Sequence, residues 1–142
     1  MLVPLAIQIH PHIQPLPTMS TTPETPPVAS TEDRTVAILT YLTIIGFIIA
    51  IVMHGSKKTA LGTFHLRQGL GLFITGIVIW IPGLIISFIP FVNLLMVVVW
   101  PAVGIALFVL WIMGLLAAVN GQSKPMPVVG EYYQKWFAGA FV

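Results

Sequence analysis

Residues 70–119 read LGLFITGIVIWIPGLIISFIPFVNLLMVVVWPAVGIALFVLWIMGLLAAV, fifty consecutive positions without Asp, Glu, Lys or Arg. A helix of about 20 residues crosses a hydrocarbon core about 30 Å thick. The run is therefore too long for one span and suits two joined by a tight turn. Ser87-Phe88-Ile89-Pro90-Phe91-Val92-Asn93 supplies that turn, because Pro90 disfavours helix at Ile89 and Asn93 is a good N-cap for a new helix. This predicts spans over about 65–89 and 94–119, with Asn120-Gly121 ending the second of them at a left-handed position. Pro82 and Pro101 fall inside the spans and are expected to kink them, since each removes one backbone bond.

Outward toward the amino terminus, Thr35 to Met53 is another stretch without a charge, and it predicts a further span over about 35–53. The fold class expected is thus an all-α membrane protein with three transmembrane helices. Residues 1–34 are rich in Pro, Thr and Ser and read as an extended or disordered arm outside the 35–120 membrane domain. The opening MLVPLAIQIHPHIQPLP lacks a basic region and is interrupted at Pro4, so it makes a poor signal peptide. MSTTPETPPVASTEDR, beginning at Met19, reads like an ordinary polar amino terminus and suggests that translation starts there. In the 121–142 tail, Tyr132, Tyr133 and Trp136 favour the headgroup layer, which predicts a short helix lying along the inner face.

Composition agrees with lipid as the main solvent. Charged residues make up 7% and hydrophobic ones 57%, with a mean hydropathy of +0.98, whereas soluble domains carry roughly 25% charged residues. The net charge is +2, and the basic residues flank the apolar runs without forming a patch, so no nucleic-acid partner is expected. The chain has no cysteine, which excludes disulfides, thiolate metal sites and Cys nucleophiles. Lys57, Lys58 and Arg67 lie between the first two spans, while Glu24, Glu32 and Asp33 outnumber Arg34 ahead of the first. The positive-inside tendency then predicts an amino terminus outside and a first loop and tail, carrying Lys124 and Lys135, in the cytoplasm.

Few residues suggest chemistry. The acids Glu24, Glu32, Asp33 and Glu131 lie outside the spans, and no Ser, His and Asp set shares one pocket-forming element. His54 and His65 flank the first loop without a partner in the spans to complete a haem or metal site, so no cofactor is expected and the chain reads as a non-enzyme. The most distinctive segment is Phe64-His65-Leu66-Arg67-Gln68-Gly69-Leu70-Gly71. One reading is ordinary anchoring, with Arg67 reaching the headgroups and Gln68 bonding a neighbouring helix. The sharper one is that Arg67 and Gln68 hold a partner helix, a lipid phosphate or a translocating segment while Gly69 and Gly71 let another backbone approach. Phe64, His65, Arg67, Gln68, Gly69 and Gly71, with Tyr132, Tyr133 and Trp136 of the tail, are then the candidate partner- or lipid-binding residues. Small residues also pair at helical spacing as Gly71 with Thr75, Ala102 with Ala106, and Gly114 with Ala118, a pattern that favours helix packing in lipid.

The run from Asp33 to Ile51, the segment Lys58 to Gly71, Phe108-Val109-Leu110-Trp111-Ile112-Met113-Gly114-Leu115 and the ending Gly130-Glu131-Tyr132-Tyr133-Gln134-Lys135-Trp136-Phe137 together resemble small bacterial membrane proteins titled import component protein. That group is similar to the membrane part of the twenty-kilodalton subunit of the chloroplast inner-envelope import translocon. The resemblance covers roughly Asp33 to Phe137, implies a protein-import or small channel-like component, and makes Phe64, His65, Arg67 and Gln68 a family hallmark. The residues themselves point to a small non-catalytic subunit. It would contact membrane lipids and pack against a larger inner-membrane assembly, or against further copies of itself, through small-residue helix faces and a basic cytoplasmic side.

Overall fold

In the computed structural model residues 29–142 are described, and every regular element among them is a helix. They are α1 (Thr31–Leu42), α2 (Ile44–Ser56), α3 (Ala60–Ile86), α4 (Val92–Val119) and α5 (Gly130–Trp136). The expectations for the amino-terminal arm up to residue 28, including its disorder and a start at Met19, lie outside the described residues. The arm boundary expected at residue 34 falls inside α1. That helix begins at Thr31 because Ser30 and Asp33 form a capping box, each side chain bonding the other's backbone N–H.

The uncharged fifty-residue run folds as the two long helices it predicts. At 1.5 Å per residue α3 and α4 are about 40 and 42 Å long. Only 11% and 17% of their most apolar windows are buried, so neither is the core helix of a soluble fold, and the apolar surface they expose calls for lipid. The chain reverses around Pro90, as expected. Asn93 does not cap α4, however: the helix starts earlier, after Phe91, whose φ of 69° makes the reversal without a side-chain cap. α3 likewise begins ahead of the expected 65, because the Thr59 hydroxyl accepts the Gly62 N–H at 3.1 Å and caps it.

The first expected span is not one helix. The stretch 35–53 is broken at Thr43, whose extended backbone ends α1 and whose hydroxyl accepts the Gly46 N–H at 3.0 Å to open α2. With 12 and 13 residues, α1 and α2 are each about 20 Å long, short of a crossing. Among the described residues there are two candidate spans, not three. Gly46 permits the close reversal, since a Cβ there would stand 2.7 Å from the Leu39 carbonyl oxygen. Lys57, just beyond α2, meets Glu32, in the first turn of α1, at 2.9 Å. The two helices therefore leave and return at one end of the molecule, as a helical hairpin. The start of α1 and the first loop therefore lie side by side, where a continuous span over 35–53 would have set them a span's length apart. Hydropathy counts uncharged length, which a hairpin and a span share.

A helix break frees backbone groups that apolar surroundings cannot satisfy. Here the Tyr41 carbonyl near the end of α1 accepts the indole N–H of Trp111 on α4 at 2.7 Å, and Thr43 serves the start of α2. The hairpin packs on the first half of α3 and the last half of α4. Two clusters hold it there, one of Ala37, Tyr41, Leu61, Ala118 and Met126, the other of Val36, Ala50 and Leu66. From Leu72 to Met113 no residue is buried. The molecule is thus a packed body at one end, from which the far halves of α3 and α4 project as a pair.

Candidate functional site

The candidate site is built where α3 meets the tail. α4 ends as the Asn120-Gly121 pair predicts: Gly121 has φ 65°, its N–H bonds the Ala118 carbonyl at 3.0 Å, and the Gln122 N–H bonds the Ala117 carbonyl at 2.9 Å. These paired bonds are a Schellman closure. They turn the chain back under α3 and leave the carbonyls of the following residues without partners of their own.

The side chains of the FHLRQ segment take up those carbonyls. His65 Nε2 lies 3.1 Å from the Gln122 carbonyl, and Gln68 Nε2 donates to the Lys124 carbonyl at 3.3 Å. Arg67 donates through Nε to the Ala140 carbonyl at 3.1 Å and through a terminal nitrogen to the Ala138 carbonyl. One turn earlier, Thr63 Oγ1 and His54 Nε2 bond the Phe141 carbonyl at 3.1 and 3.0 Å, and Lys58 reaches the Val142 carbonyl. His65 is completed by the Tyr41 hydroxyl, 3.1 Å from Nδ1. A carbonyl only accepts, so Nε2 carries the proton and Nδ1 accepts from Tyr41, which is the neutral imidazole with both nitrogens used. His65, Leu66 and Gln68 are fully buried.

The glycines do admit close neighbours, all from the same chain. A Cβ on Gly69 would strike the Thr40 methyl of α1, and one on Gly71 would strike the Tyr133 ring of α5. Tyr133 then bonds Thr75 through its hydroxyl at 2.6 Å, and Gln134 Nε2 donates to the Phe64 carbonyl at 2.8 Å. Gly71 and Thr75 are thus the seat of α5, while Gly114 and Ala118 receive Tyr41 and Met126. Ala102 and Ala106, the third small pair, are exposed. Of the expected binding residues, Phe64, His65, Arg67, Gln68, Gly69, Gly71 and Tyr133 are engaged within the chain. Tyr132 and Trp136 instead lie side by side on the outer face of α5, 54% and 71% exposed.

Sequence reasoning passed over Thr40, Thr63, Trp111 and Gln134 as members of this network. A Trp within an apolar span, with an N–H that must find an acceptor, was the available signal. At the rim, the Ser30 hydroxyl bond holds the Asp33 carboxyl below its usual range, and Glu32 raises Lys57 above its own.

The model of the Magnetosome magnetite crystal formation protein family, MamF/MmsF, matches residues 32–132, from the first turn of α1 into α5. The chain belongs to the MamF/MmsF family. It is 28% identical over 83 residues to a UPF0132 membrane protein of Archaeoglobus fulgidus, covering 58% of this chain and 75% of the relative. Over 77 residues it is 31% identical to a UPF0132 membrane protein of Methanocaldococcus jannaschii, covering 52% of this chain and 49% of the relative. No solved structure matches. These matches overturn the resemblance to import components, because the stretch that carried it is the one the MamF/MmsF model takes, and both relatives are membrane proteins with no import role in their names. The chain is a small membrane protein of this family, with α1 from its second residue, α2, α3, α4 and the beginning of α5 inside the matched region.

Proposed function

We propose that this MamF/MmsF chain is a non-catalytic membrane subunit that organises other membrane components. The observation that carries the reading is the use of its polar side chains: His65, Arg67 and Gln68, the groups best suited to chemistry or to a headgroup, are occupied by carbonyls of the chain's own tail. Among the described residues, the largest surface left open to another molecule at helix-packing distance is the apolar pair of projecting helices. A groove of about 610 Å³ runs between them past Gly76 and Gly104, at neither of which a Cβ would meet anything within 4 Å, and the Ala102–Ala106 face is open beside it. Small faces of this kind let membrane helices approach closely. Under this reading a part in magnetosome magnetite formation, which the family description carries, is exercised from within the membrane by holding other components in place.

All six basic residues, Arg34, Lys57, Lys58, Arg67, Lys124 and Lys135, belong to the packed end, and the turn at residues 87–91 has none. By the positive-inside tendency this supports a packed end that faces the cytoplasm and a turn on the opposite side of the membrane. The cysteine-free chain makes the test direct. A cysteine at Gly104 or Ala106 should give a crosslinked adduct in native membranes, and a bulky Ala102→Leu change should reduce it. If every position along the projecting pair yields monomer alone, the assembly role is wrong.

A further inference from the structure

The two halves of the membrane-embedded part have very different widths. In the leaflet at the packed end, α3 and α4 are joined by α1 and α2, which reach in only as far as the level where Thr43 lies near Leu72 and Trp111. α5 is seated against the same half of α3, through Tyr133 on Gly71 and Thr75. Among the described residues only α3 and α4 continue into the far leaflet, with no buried residue from Leu72 to Met113. A helix is about 10 Å across, so each additional one occupies roughly 80 Å² of leaflet area, and three add about 240 Å² to one side.

This asymmetry is fixed in place and does not depend on a loose amphipathic segment. Thr43 keeps the hairpin from extending into a span, Trp111 holds its apex to α4, Gly69 locks α1 against α3, and Arg67 ties down the chain after α5. The hairpin also belongs in lipid, because Ile45, Ile48 and Val52 on α2 are exposed. Material inserted into one leaflet alone is accommodated best where that leaflet is stretched, which makes such insertion sensitive to curvature.

We propose that the chain is a wedge that prefers membranes curved convexly toward its packed end, and that its binding partner in this respect is the curved lipid surface itself. The inference rests on the membrane-embedded fold but not on the assembly role, since a single copy has the asymmetry.

Purified full-length chain reconstituted at equal protein-to-lipid ratio into a mixture of small sonicated and large extruded vesicles, separated afterwards by size, tests it. The protein-to-lipid ratio should be at least about threefold higher in the small vesicles, the bias that a preference of only about RT produces. Trypsin added outside should cut at Lys57 and Lys58 in most of the copies in small vesicles and in about half of those in large ones, where orientation is unbiased. A Gly71→Leu variant, which displaces Tyr133 and lifts α5 out of the leaflet, should lower the enrichment. Equal ratios with equal orientation in both sizes would overturn the wedge, as would enrichment with the packed end inside. Failure of the chain to float with either vesicle population would overturn the membrane-embedded fold as well. Monomeric protein that still sorts to small vesicles would support the wedge while removing the assembly role.

Discussion

Tyr41 on α1 and His65 on α3 meet edge to face, ring centroids 5.8 Å apart, with the phenol hydroxyl 3.1 Å from Nδ1. The opposite nitrogen bonds the Gln122 carbonyl, so one imidazole ties the α1–α2 hairpin, α3 and the tail together. Tyr41→Phe removes one neutral bond and leaves Nδ1 buried without a donor, an expected cost of about 1–3 kcal/mol. His65→Ala removes both bonds and opens a cavity, and should cost more, about 3–5 kcal/mol. Thermal unfolding in detergent, followed by aromatic circular dichroism, orders the two. Equal loss in both would mean that the Tyr41 bond carries all of the coupling.

Gln68 should behave differently from its neighbours. Its amide nitrogen bonds the Lys124 carbonyl at a long 3.3 Å, while Oε1 is buried with no partner among the described residues. Gln68→Met loses the weak bond and also relieves the unpaired acceptor, so its effect is expected within about 1 kcal/mol of zero. A loss as large as that of His65→Ala would show that Oε1 has a partner of its own, which the same melting measurement would reveal.

Arg67 clamps the carbonyls of Ala138 and Ala140 with separate nitrogens of one planar guanidinium. A lysine offers a single point charge and cannot reproduce the fork. Arg67→Lys should therefore release the tail although charge is kept, and trypsin should cut at Lys135 several-fold faster than in the unaltered chain. Unchanged cleavage would mean that Phe141 and Val142, held by His54, Thr63 and Lys58, suffice.

The long uncharged run was legible because hydropathy and length leave two adjacent spans as its only placement, and Pro90 marks their turn. The hairpin was not legible from the same signal. Thr35 to Met53 has a span's length, and what breaks it at Thr43 is supplied from elsewhere in the sequence: Trp111 accepts the task of satisfying the Tyr41 carbonyl, and α3 and α4 cover the α1 face of Val36, Ala37, Thr40 and Tyr41. The cluster Thr40-Tyr41-Leu42-Thr43 in mid-run was the local hint. FHLRQ was recognisable as special, but its partner is main chain, and backbone carbonyls have no residue letter to be found by.

At the exposed start of α1, Ser30→Ala should cost about 1 kcal/mol through loss of the cap. Its pH dependence follows from Asp33, whose carboxyl the Ser30 bond holds below its usual value. A carboxylate with a lowered folded-state pKa adds stability above its unfolded value of about 3.9, and this is lost as pH falls through the folded value. The difference between the unaltered chain and Ser30→Ala should accordingly shrink below about pH 4. A difference that persists in acid would place the whole effect on the Ser30 hydroxyl's bond to the Asp33 N–H.

The break at Thr43 makes the sharpest prediction about topology: α1 and α2 enter the membrane and return as a re-entrant hairpin. Single cysteines at Thr31 and Ser56, at the start of α1 and the end of α2, should react with an impermeant thiol reagent from the same side of the membrane, because Glu32 and Lys57 beside them form an ion pair. A cysteine at Phe88, in the turn between α3 and α4, should react from the opposite side. Basic residues crowd the packed end, so in intact cells the Phe88 position is the one expected to label, with the other two reacting only after permeabilisation. A continuous first span would separate Thr31 from Ser56 by the full bilayer, and labelling of the two from opposite sides would show that Thr43 does not turn the chain back in the membrane.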